Sequence, residues 1–245
     1  MADNWVLITG GSRGIGQALV CQLASEWSIF FTGRREAGIA QTLARARPAQ
    51  GARWLEGAVC DGSDDAAVTQ LAARLLAERG APAAIIHNAG IARDGLHIHQ
   101  SPQAWRTLLD NNLIAIVNWH QALLPAMMVR GSGAIVLMSS VTAFKGNSGQ
   151  TAYGASKAAM MGMARSLAQE VGRFGLRVNC LAPGLIASDM LDDIPAARLK
   201  TLRQAIPLRR LGTPEEVAHA AAFLIADQSR YLTGHTLVLD GGLTA

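Results

Sequence analysis

Charge is scarce in this 245-residue chain: Asp, Glu, Lys and Arg together make up 16% of it, and no block of like charge interrupts it. The 22 basic and 18 acidic residues are dispersed and leave a net +4. No basic stripe exists to track a nucleic-acid backbone, and the mild positive balance suits small anionic ligands. Aromatic residues are few at 5%, with only two tyrosines, Tyr153 and Tyr231. Cysteine is limited to Cys21, Cys60 and Cys180, an odd number, widely spaced and outside any CxxC pair. That excludes a disulfide framework and fits a reducing compartment. Uninterrupted apolar runs fall short of the roughly 18 residues of a spanning helix, and Met1-Ala2-Asp3-Asn4 has no basic or apolar leader character. A cytoplasmic protein with no membrane or nucleic-acid partner is the expectation. Six histidines are present without an HExxH pair, and His97 and His99 stand two apart without carboxylates around them, so no metal site is expected.

What is present is a half-hydrophobic chain rich in Ala and Gly, with no repeat, low-complexity segment or linker. Short Val/Ile/Leu runs alternate with longer amphipathic stretches. Strands are expected over Trp5 to Thr9, Ser28 to Thr32, Arg53 to Val59, Ala83 to His87, Ala134 to Ser139, Arg177 to Leu181 and Thr236 to Leu239. A glycine turn after the first leads to a helix from about Gly14 to Ser25. Thr213-Pro214-Glu215-Glu216 and Ser101-Pro102 mark two further helix starts. Strands alternating with helices imply right-handed crossovers and an α/β fold: one Rossmann-type doubly wound domain over 1–245, a seven-stranded parallel sheet with helices on both faces. Its nucleotide-binding half covers about 1–90 and its catalytic half about 91–245. The stretch 183–207 lacks a confident strand and follows a strand's C-terminal end, where open α/β sheets bind ligands, so it is a candidate lid.

Thr9-Gly10-Gly11-Ser12-Arg13-Gly14-Ile15-Gly16 joins the first strand to the first helix. Glycines there let backbone amides approach a pyrophosphate at the helix N-terminus, although a tight strand-to-helix turn alone also uses glycine. The second strand ends in Gly33-Arg34-Arg35, where an acidic residue would suit the ribose 2′-hydroxyl of NAD. Arg13 and Arg34 would instead grip a 2′-phosphate with planar guanidinium groups. Asp61, followed by Gly62, is placed to accept from an adenine amine or is ordinary turn chemistry.

Tyr153 and Lys157 lie four apart on an expected helix, so they leave the same face. An ammonium close to a phenol favours the phenolate and lowers its pKa. Six methionines, Met127, Met128, Met138, Met160, Met161 and Met163, are read as core fillers rather than as the wall of an acyl channel.

Taken together, Gly10, Gly14, Gly16, Asn88-Ala89-Gly90, Asn112, Ser140, Tyr153, Lys157 and Pro183-Gly184 resemble, in order and over nearly the whole chain, the short-chain dehydrogenase/reductase family. His87 departs from the pattern, taking a position often held by another Asn. The resemblance implies NADPH/NADP+ held by Gly10, Ser12, Arg13, Gly14, Ile15, Gly16, Arg34, Asp61, Gly62, Asn88, Ala89, Gly90, Tyr153, Lys157, Pro183, Gly184 and Ile186. It implies that Ser140 and Gln150 meet the substrate and that Tyr153 donates a proton. Lys157 would bind the nicotinamide ribose and tune the tyrosine, and Asn112, rather than adjacent Asn111, would hold a relaying water. Gly149-Gln150, Pro183 to Met190, Arg210-Leu211-Gly212 and Tyr231 to Gly234 are similar to the 3-oxoacyl-[acyl-carrier-protein] reductase branch. That similarity implies 3-oxoacyl thioester reduction and an acyl carrier protein partner, with Arg130 and Arg173 as docking candidates near the active-site mouth; each stands one position before the reductase pattern, where Gly131 and Phe174 lie, and a cation in a helix's last turn also suits the macrodipole. Small residues Ala155, Ala158, Ala159 and Gly162 on the tyrosine helix, which pairs between subunits in relatives, imply a homotetramer. A reductase or dehydrogenase of a free small carbonyl or alcohol stays open, as does a catalytically silent nucleotide-binding scaffold. An enoyl reductase is disfavoured, since such relatives have a longer tyrosine-to-lysine spacing.

Overall fold

Side chains in the middle strands alternate between two buried faces, and that alternation sets the layers. The computed structural model describes residues 4–46, 54–187 and 196–245. Its strands are Trp5–Thr9 (β1), Ser28–Gly33 (β2), Leu55–Val59 (β3), Ala84–His87 (β4), Gly133–Met138 (β5), Leu176–Pro183 (β6) and Thr236–Leu239 (β7). They form one sheet in the order β3-β2-β1-β4-β5-β6-β7, every pairing parallel. The helices among the described residues are Gly14–Leu23 (α1), Glu36–Arg45 (α2), Asp65–Arg79 (α3), Pro102–Leu109 (α4), Ala115–Arg130 (α5), Thr151–Val171 (α6), Ala196–Ala205 (α7) and Pro214–Ile225 (α8). All seven expected strands are present with edges moved by one or two residues, and Arg53 lies outside the described residues. In the candidate lid, 188–195 lie outside the described residues.

Leu7, Phe30, Ile85, Ile135, Leu137 and Val178 face one side and pack on α3, α5 and α6. Their neighbours Val6, Ile8, Ile29, Phe31, Ile86, Val136 and Leu181 face the other side and pack on α1, α2 and α8. Period-two alternation makes this separation automatic once the sheet forms. Each such side chain, removed wholly from water, contributes about 1.5–3 kcal/mol before entropy is counted. Met127, Met138, Met160 and Met161 are buried in these two cores.

Helix ends follow local chemistry. Thr213 and Glu216 form the reciprocal box at the start of α8, with Glu216 N–H donating to Thr213 Oγ1 at 3.2 Å and Thr213 N–H to Glu216 Oε2 at 2.8 Å. Ser101 Oγ accepts from Ala104 N–H at 3.2 Å, with Pro102 in the first turn. Pro102–Arg130 is a continuous helical run of 29 residues, long and apolar enough by length and composition to cross a membrane. Arg106 and Asp110 break up its apolar sequence, and its apolarity has another use: Leu108, Ile116, Trp119, Leu123 and Met127 are buried in the protein.

His87, the last residue of β4, meets His120 of α5 with Nε2 atoms 3.1 Å apart and rings edge to face. Both are buried. Burial holds the His87 imidazole well below its usual value, with His120 adding to the effect; burial alone brings His120 down to about 4. The native pair therefore stays neutral while an unfolded chain, titrating near 6.5, takes up protons. Stability should fall as pH drops from about 6.5 towards 4. His120→Gln should lessen that fall by up to about 3 kcal/mol, given the size of the displacement. Thermal unfolding at a series of pH values, wild type against variant, checks it.

Candidate active site

The strand order reverses at β1: the chain runs outward to β2 and β3 on one side, then returns to β4 and runs outward on the other. Crossovers leave the C-terminal ends of β1 and β4 in opposite directions, so a crevice opens above them. Asn88 spans it. Its Nδ2 donates to Gly10 O at 3.0 Å and Thr9 O at 3.3 Å, while Thr9 Oγ1 accepts from the N–H groups of Asn88 and Ala89 at 3.2 and 3.1 Å. Two glycines are required by proximity. A Cβ on Gly16 would stand 1.9 Å from Gly10 O, and one on Gly10, at φ +69°, would stand 2.8 Å from Ala89 Cα. Above Gly14 a Cβ would meet nothing within 4 Å. The first turn of α1 holds no acidic residue and Arg13 supplies no side-chain cap, so its amide hydrogens are available to an anion. This cradle fits a dinucleotide pyrophosphate. Ser12 lines its β2 side, 2.8 Å from where a Cβ of Gly33 would sit, and Ile15 packs partly buried beneath it.

The residues expected at an adenosine end lie at the tips of β2 and β3. Arg13 and Arg34 are exposed, as is Asp61. Partial burial would raise the Asp61 carboxyl, but hydrogen bonds from Ser63 N–H and Oγ at 3.0 and 2.8 Å, with the Arg34 charge, hold it below its ordinary range. Gly62 lies against α5: its carbonyl accepts from Asn118 Nδ2 at 3.0 Å, and a Cβ there would be 3.1 Å from Ala115 Cβ.

Catalytic candidates converge at the ends of β4 and β5. The run from α4 to α5 is interrupted by a π-helical turn over Asp110–Ile114, and it is this turn that carries Asn112 into the interior, fully buried. Its Oδ1 accepts from Ile91 N–H at 2.8 Å, and its Nδ2 donates to Ile91 O and Ser156 Oγ, both at 3.0 Å. Asn111, one position earlier, donates to Thr107 O along its own helix. The side chain of Asn112 thus straps the segment after β4 to α6, and Gly90 leaves the space for it, a Cβ there being 3.2 Å from Asn112 Oδ1 and 3.5 Å from Lys157 Nζ.

Lys157 is buried and its Nζ donates to Met138 O, the last carbonyl of β5, at 2.7 Å. Ser139 Oγ closes the same junction by donating to Lys157 O at 2.8 Å. Burial brings the ammonium down to about 8, so at neutral pH it stays charged. Tyr153 sits one turn earlier, its ring centroid 5.6 Å from that Nζ. The expected lowering of the phenol is reversed in this structure: burial pushes Tyr153 up, a hydrogen bond with Ser140 draws it back, and Asp94 pushes it further up. Lys157 is directed to the strand carbonyl, and removal of the phenol from water is the largest effect on Tyr153. Raised rather than lowered, Tyr153 is protonated at neutral pH, the state a proton donor needs.

Gln150 is one contact removed from Ser140. Its Nε2 donates to both Asp94 oxygens at 3.1 Å, and its Oε1 accepts from Asn147 Nδ2 at 3.1 Å and Thr142 Oγ1 at 3.4 Å. Pro183 ends β6, and Gly184 packs against the C-terminal segment, where a Cβ would lie 2.7 Å from Asp240 Cβ. Ile186 is buried and bridges Gly212. The arginines fall elsewhere. Arg130 donates to Ala81 O at 3.1 Å and to Asn4 Oδ1, and exposed Arg173 stacks on Phe174. Both stand where Gly133 and Leu176 begin β5 and β6, the opposite edge of the sheet from Ser140. Within one chain they do not line the mouth, because a helix that starts at the C-terminal edge of a parallel sheet must end at the N-terminal edge. Among the described residues no group of three or more His, Cys, Asp or Glu could hold a metal ion.

Residues that the motif reading passed over carry much of this geometry: Thr9, Thr142, Ser156 and Asp94. Thr9 stood within the glycine segment. Asp94 belongs to no motif and shows itself only through its contacts.

A family model described as Enoyl-(Acyl carrier protein) reductase matches residues 10–244. Among curated proteins, the chain is 36% identical over 249 residues to a 3-oxoacyl-[acyl-carrier-protein] reductase FabG of Chlamydia trachomatis, covering 99% of this chain and 98% of that protein. It is 36% identical over 237 residues to the FabG of Pseudomonas aeruginosa and 35% identical over 238 residues to that of Escherichia coli strain K12, each covering 97% of this chain and 96% of the relative.

Gly16→Ala should collapse this cradle, since a Cβ 1.9 Å from a carbonyl oxygen forces the loop to move. The expected outcome is loss of dinucleotide binding by about 5- to 150-fold, because an overpacked contact of this kind typically costs about 1–3 kcal/mol. Titration of bound dinucleotide by fluorescence, with the melting temperature recorded alongside, checks it.

Proposed function

Because the chain belongs to the short-chain dehydrogenase/reductase family, we propose that it reduces the 3-oxo group of a carrier-protein-bound acyl thioester to a 3-hydroxyacyl thioester, with NADPH as reductant. The observation that carries this reading is the convergence of Ser140, just past the end of β5, with Tyr153 and the buried Lys157 ammonium, which lies 5.6 Å from the Tyr153 ring and donates to the last carbonyl of β5. Two hydroxyl donors suit a carbonyl oxygen that gains negative charge as its carbon is reduced. A protonated Tyr153 gives the proton, Ser140 orients the carbonyl, and Lys157 binds a ribose hydroxyl while keeping positive charge near the phenol. A nicotinamide bound in the crevice supplies the hydride. Both ends of the Asn112 amide are engaged, so a relaying water there would be held by its main chain. The name of the matched family model points to double-bond reduction instead, but the curated relatives cited above are named for 3-oxo reduction, and the four-residue spacing of Tyr153 and Lys157 suits them.

NADPH rather than NADH is supported by Arg13 and Arg34, which stand exposed around the end of β2 with no carboxylate in place of Arg34. A homotetramer is supported by the outer faces of α5 and α6. Ala155, Ala158 and Gly162 are exposed there, next to an apolar groove of about 350 Å³ lined by Val117, Leu124, Pro125, Met128, Met163 and Leu167. Two-fold pairing of these helices, antiparallel, brings the C-terminal ends of one copy to the active-site edge of the next. In that arrangement Arg130 and Arg173 reach a neighbour's mouth, where an acidic carrier protein would dock. A cytoplasmic setting is supported by three free thiols.

Tyr153→Phe should retain fold and NADPH binding but lose about 10²- to 10⁴-fold in kcat with a 3-oxoacyl thioester, the usual worth of a positioned proton donor. Near-normal turnover in steady-state assays would remove Tyr153 from the chemistry. For cofactor choice, kcat/KM should favour NADPH over NADH, and Arg34→Asp should narrow or invert that preference by replacing a phosphate partner with a repelling charge. Equal kcat/KM for the two cofactors in the unmodified enzyme would defeat the assignment.

A further inference from the structure

We propose that the turn following α7, together with the last turns of that helix, is the docking surface for an acidic carrier protein, with Lys200, Arg203 and Arg209 as its cations. This rests on the reading above that the acyl substrate arrives on such a carrier. Over 196–210 the sequence places five basic residues and no acidic one, of which only Arg209 and Arg210 are adjacent. Lys200 and Arg203 lie three apart on α7 and so share a face. Both are exposed, as is Arg209.

Neighbouring charges leave these three cations available. Arg210 is committed elsewhere, its two Nη atoms donating to Glu216 at 2.8 and 2.6 Å. Asp240 accepts from the N–H groups of Gly242 and Thr244, both at 2.8 Å, and from Thr244 Oγ1 at 2.6 Å. Among the described residues no carboxylate pairs with Lys200, Arg203 or Arg209. Asp189, Asp192 and Asp193 lie outside the described residues.

The turn is fixed at the active-site edge of the sheet. The excursion that carries α7 is closed at its base, where Ala187 N–H donates to Gly212 O at 2.8 Å and Gly212 N–H to Leu185 O at 3.0 Å. Beyond α7, Ile206 N–H donates to Arg203 O at 3.2 Å, Arg209 N–H to Ile206 O at 2.9 Å and Leu208 N–H to Gly241 O at 3.2 Å. Ile206 and Pro207 press on Gly241 and Gly242, where a Cβ would stand 2.8 and 2.9 Å from them. Those glycines follow β7, as Ser140 follows β5, and β5, β6 and β7 are parallel neighbours. Both points therefore lie past the same edge, two strand spacings or about 10 Å apart across the sheet. Unlike Arg130 and Arg173, the turn reaches this edge within one chain.

Arg209 carries the strongest signal. At φ +57° it is the one non-glycine residue with a left-handed backbone among the described residues. Glycine takes that conformation without steric cost, and residues held there against their preference gather at ligand clamps. Its guanidinium donates to Gln204 O at the end of α7, which fixes the group and leaves further N–H donors for a carboxylate. Leu208, 64% exposed beside it, adds an apolar contact within a polar rim, the composition of a protein interface. Three cations are too few to track a nucleic-acid backbone or hold a membrane surface. A carrier delivering its acyl group to Tyr153 has to sit at this edge.

The test is steady-state reduction with NADPH of an acetoacetyl group on acyl carrier protein and on uncharged N-acetylcysteamine, over a series of salt concentrations. Lys200→Glu/Arg203→Glu/Arg209→Glu should lower kcat/KM for the carrier-bound substrate at least about tenfold at low salt. Its fall with added salt should disappear, and the N-acetylcysteamine thioester should be turned over as before. Arg209→Gly, which suits a left-handed backbone, makes the same test without burdening the fold. Carrier-bound kcat/KM should fall about 2- to 5-fold, the worth of one exposed ion pair, with the melting temperature held. Equal losses on both thioesters, a salt-independent wild type, or a lowered melting temperature with unchanged carrier kinetics in Arg209→Gly would overturn the proposal and leave Arg209 as a cap on α7. In each of those cases both thioesters are still reduced, so the proposed reaction stands. A wild-type enzyme that reduces neither thioester removes the reaction, and the docking surface with it.

Discussion

Right-handed crossover is the constraint on which the molecule depends. Each strand feeds a helix that packs back onto the sheet in one sense only, so a chain that builds outward from β1 through β2 to β3 must return to β1 before building outward again through β4. The two senses of departure cannot be covered by one helix layer, and the crevice above β1 and β4 results. Asn88 and Thr9 bind its two banks together with four hydrogen bonds. The glycines serve that contact: Gly10 and Gly16 are positions where backbone meets backbone more closely than any side chain allows.

A second requirement is that polar groups be kept inside an apolar body without being left unpaired. Lys157 and Asn112, both buried, are held almost wholly by backbone carbonyls and amides, Met138 O and Ile91 respectively. Met138 is the last residue of β5 and Ile91 follows four residues after the end of β4, so the sheet sets the position of the first and anchors the segment that holds the second. The π turn at Asp110–Ile114 shows the same economy, since one added residue in a helical turn brings Asn112 inward where an unbroken α-helix would rotate it elsewhere. His87 and His120 are the exception, two buried imidazoles satisfying one another.

Strand positions were legible because alternation of Val, Ile and Leu runs with amphipathic stretches needs no knowledge of partners. The starts of α4 and α8 were legible because capping residues act within four positions of themselves. Tyr153 and Lys157 were recognisable through helical spacing combined with the ordered motif set. Reading failed where the deciding neighbour is distant in sequence. Tyr153 is raised rather than lowered because burial by the surrounding elements is the largest effect on it, and no local pattern reports burial. The sheet edge at which Arg130 and Arg173 stand within one chain, opposite Ser140, is likewise set by the direction of their helices and by no local pattern.

The sequence by itself determined the class of fold, the number of strands and the glycine cradle, since each is encoded by periodicity or by spacing within one element, and the ordered motif set supplied the candidate catalytic side chains. Only the tertiary structure decided which polar atoms those side chains meet. Asp94 and Gln150 are 56 positions apart and Arg130 and Ala81 are 49 apart, and contacts at such separations arise from sheet order and loop closure. Protonation states follow from those contacts and from depth, which is why the working state of Tyr153 belongs to the folded molecule.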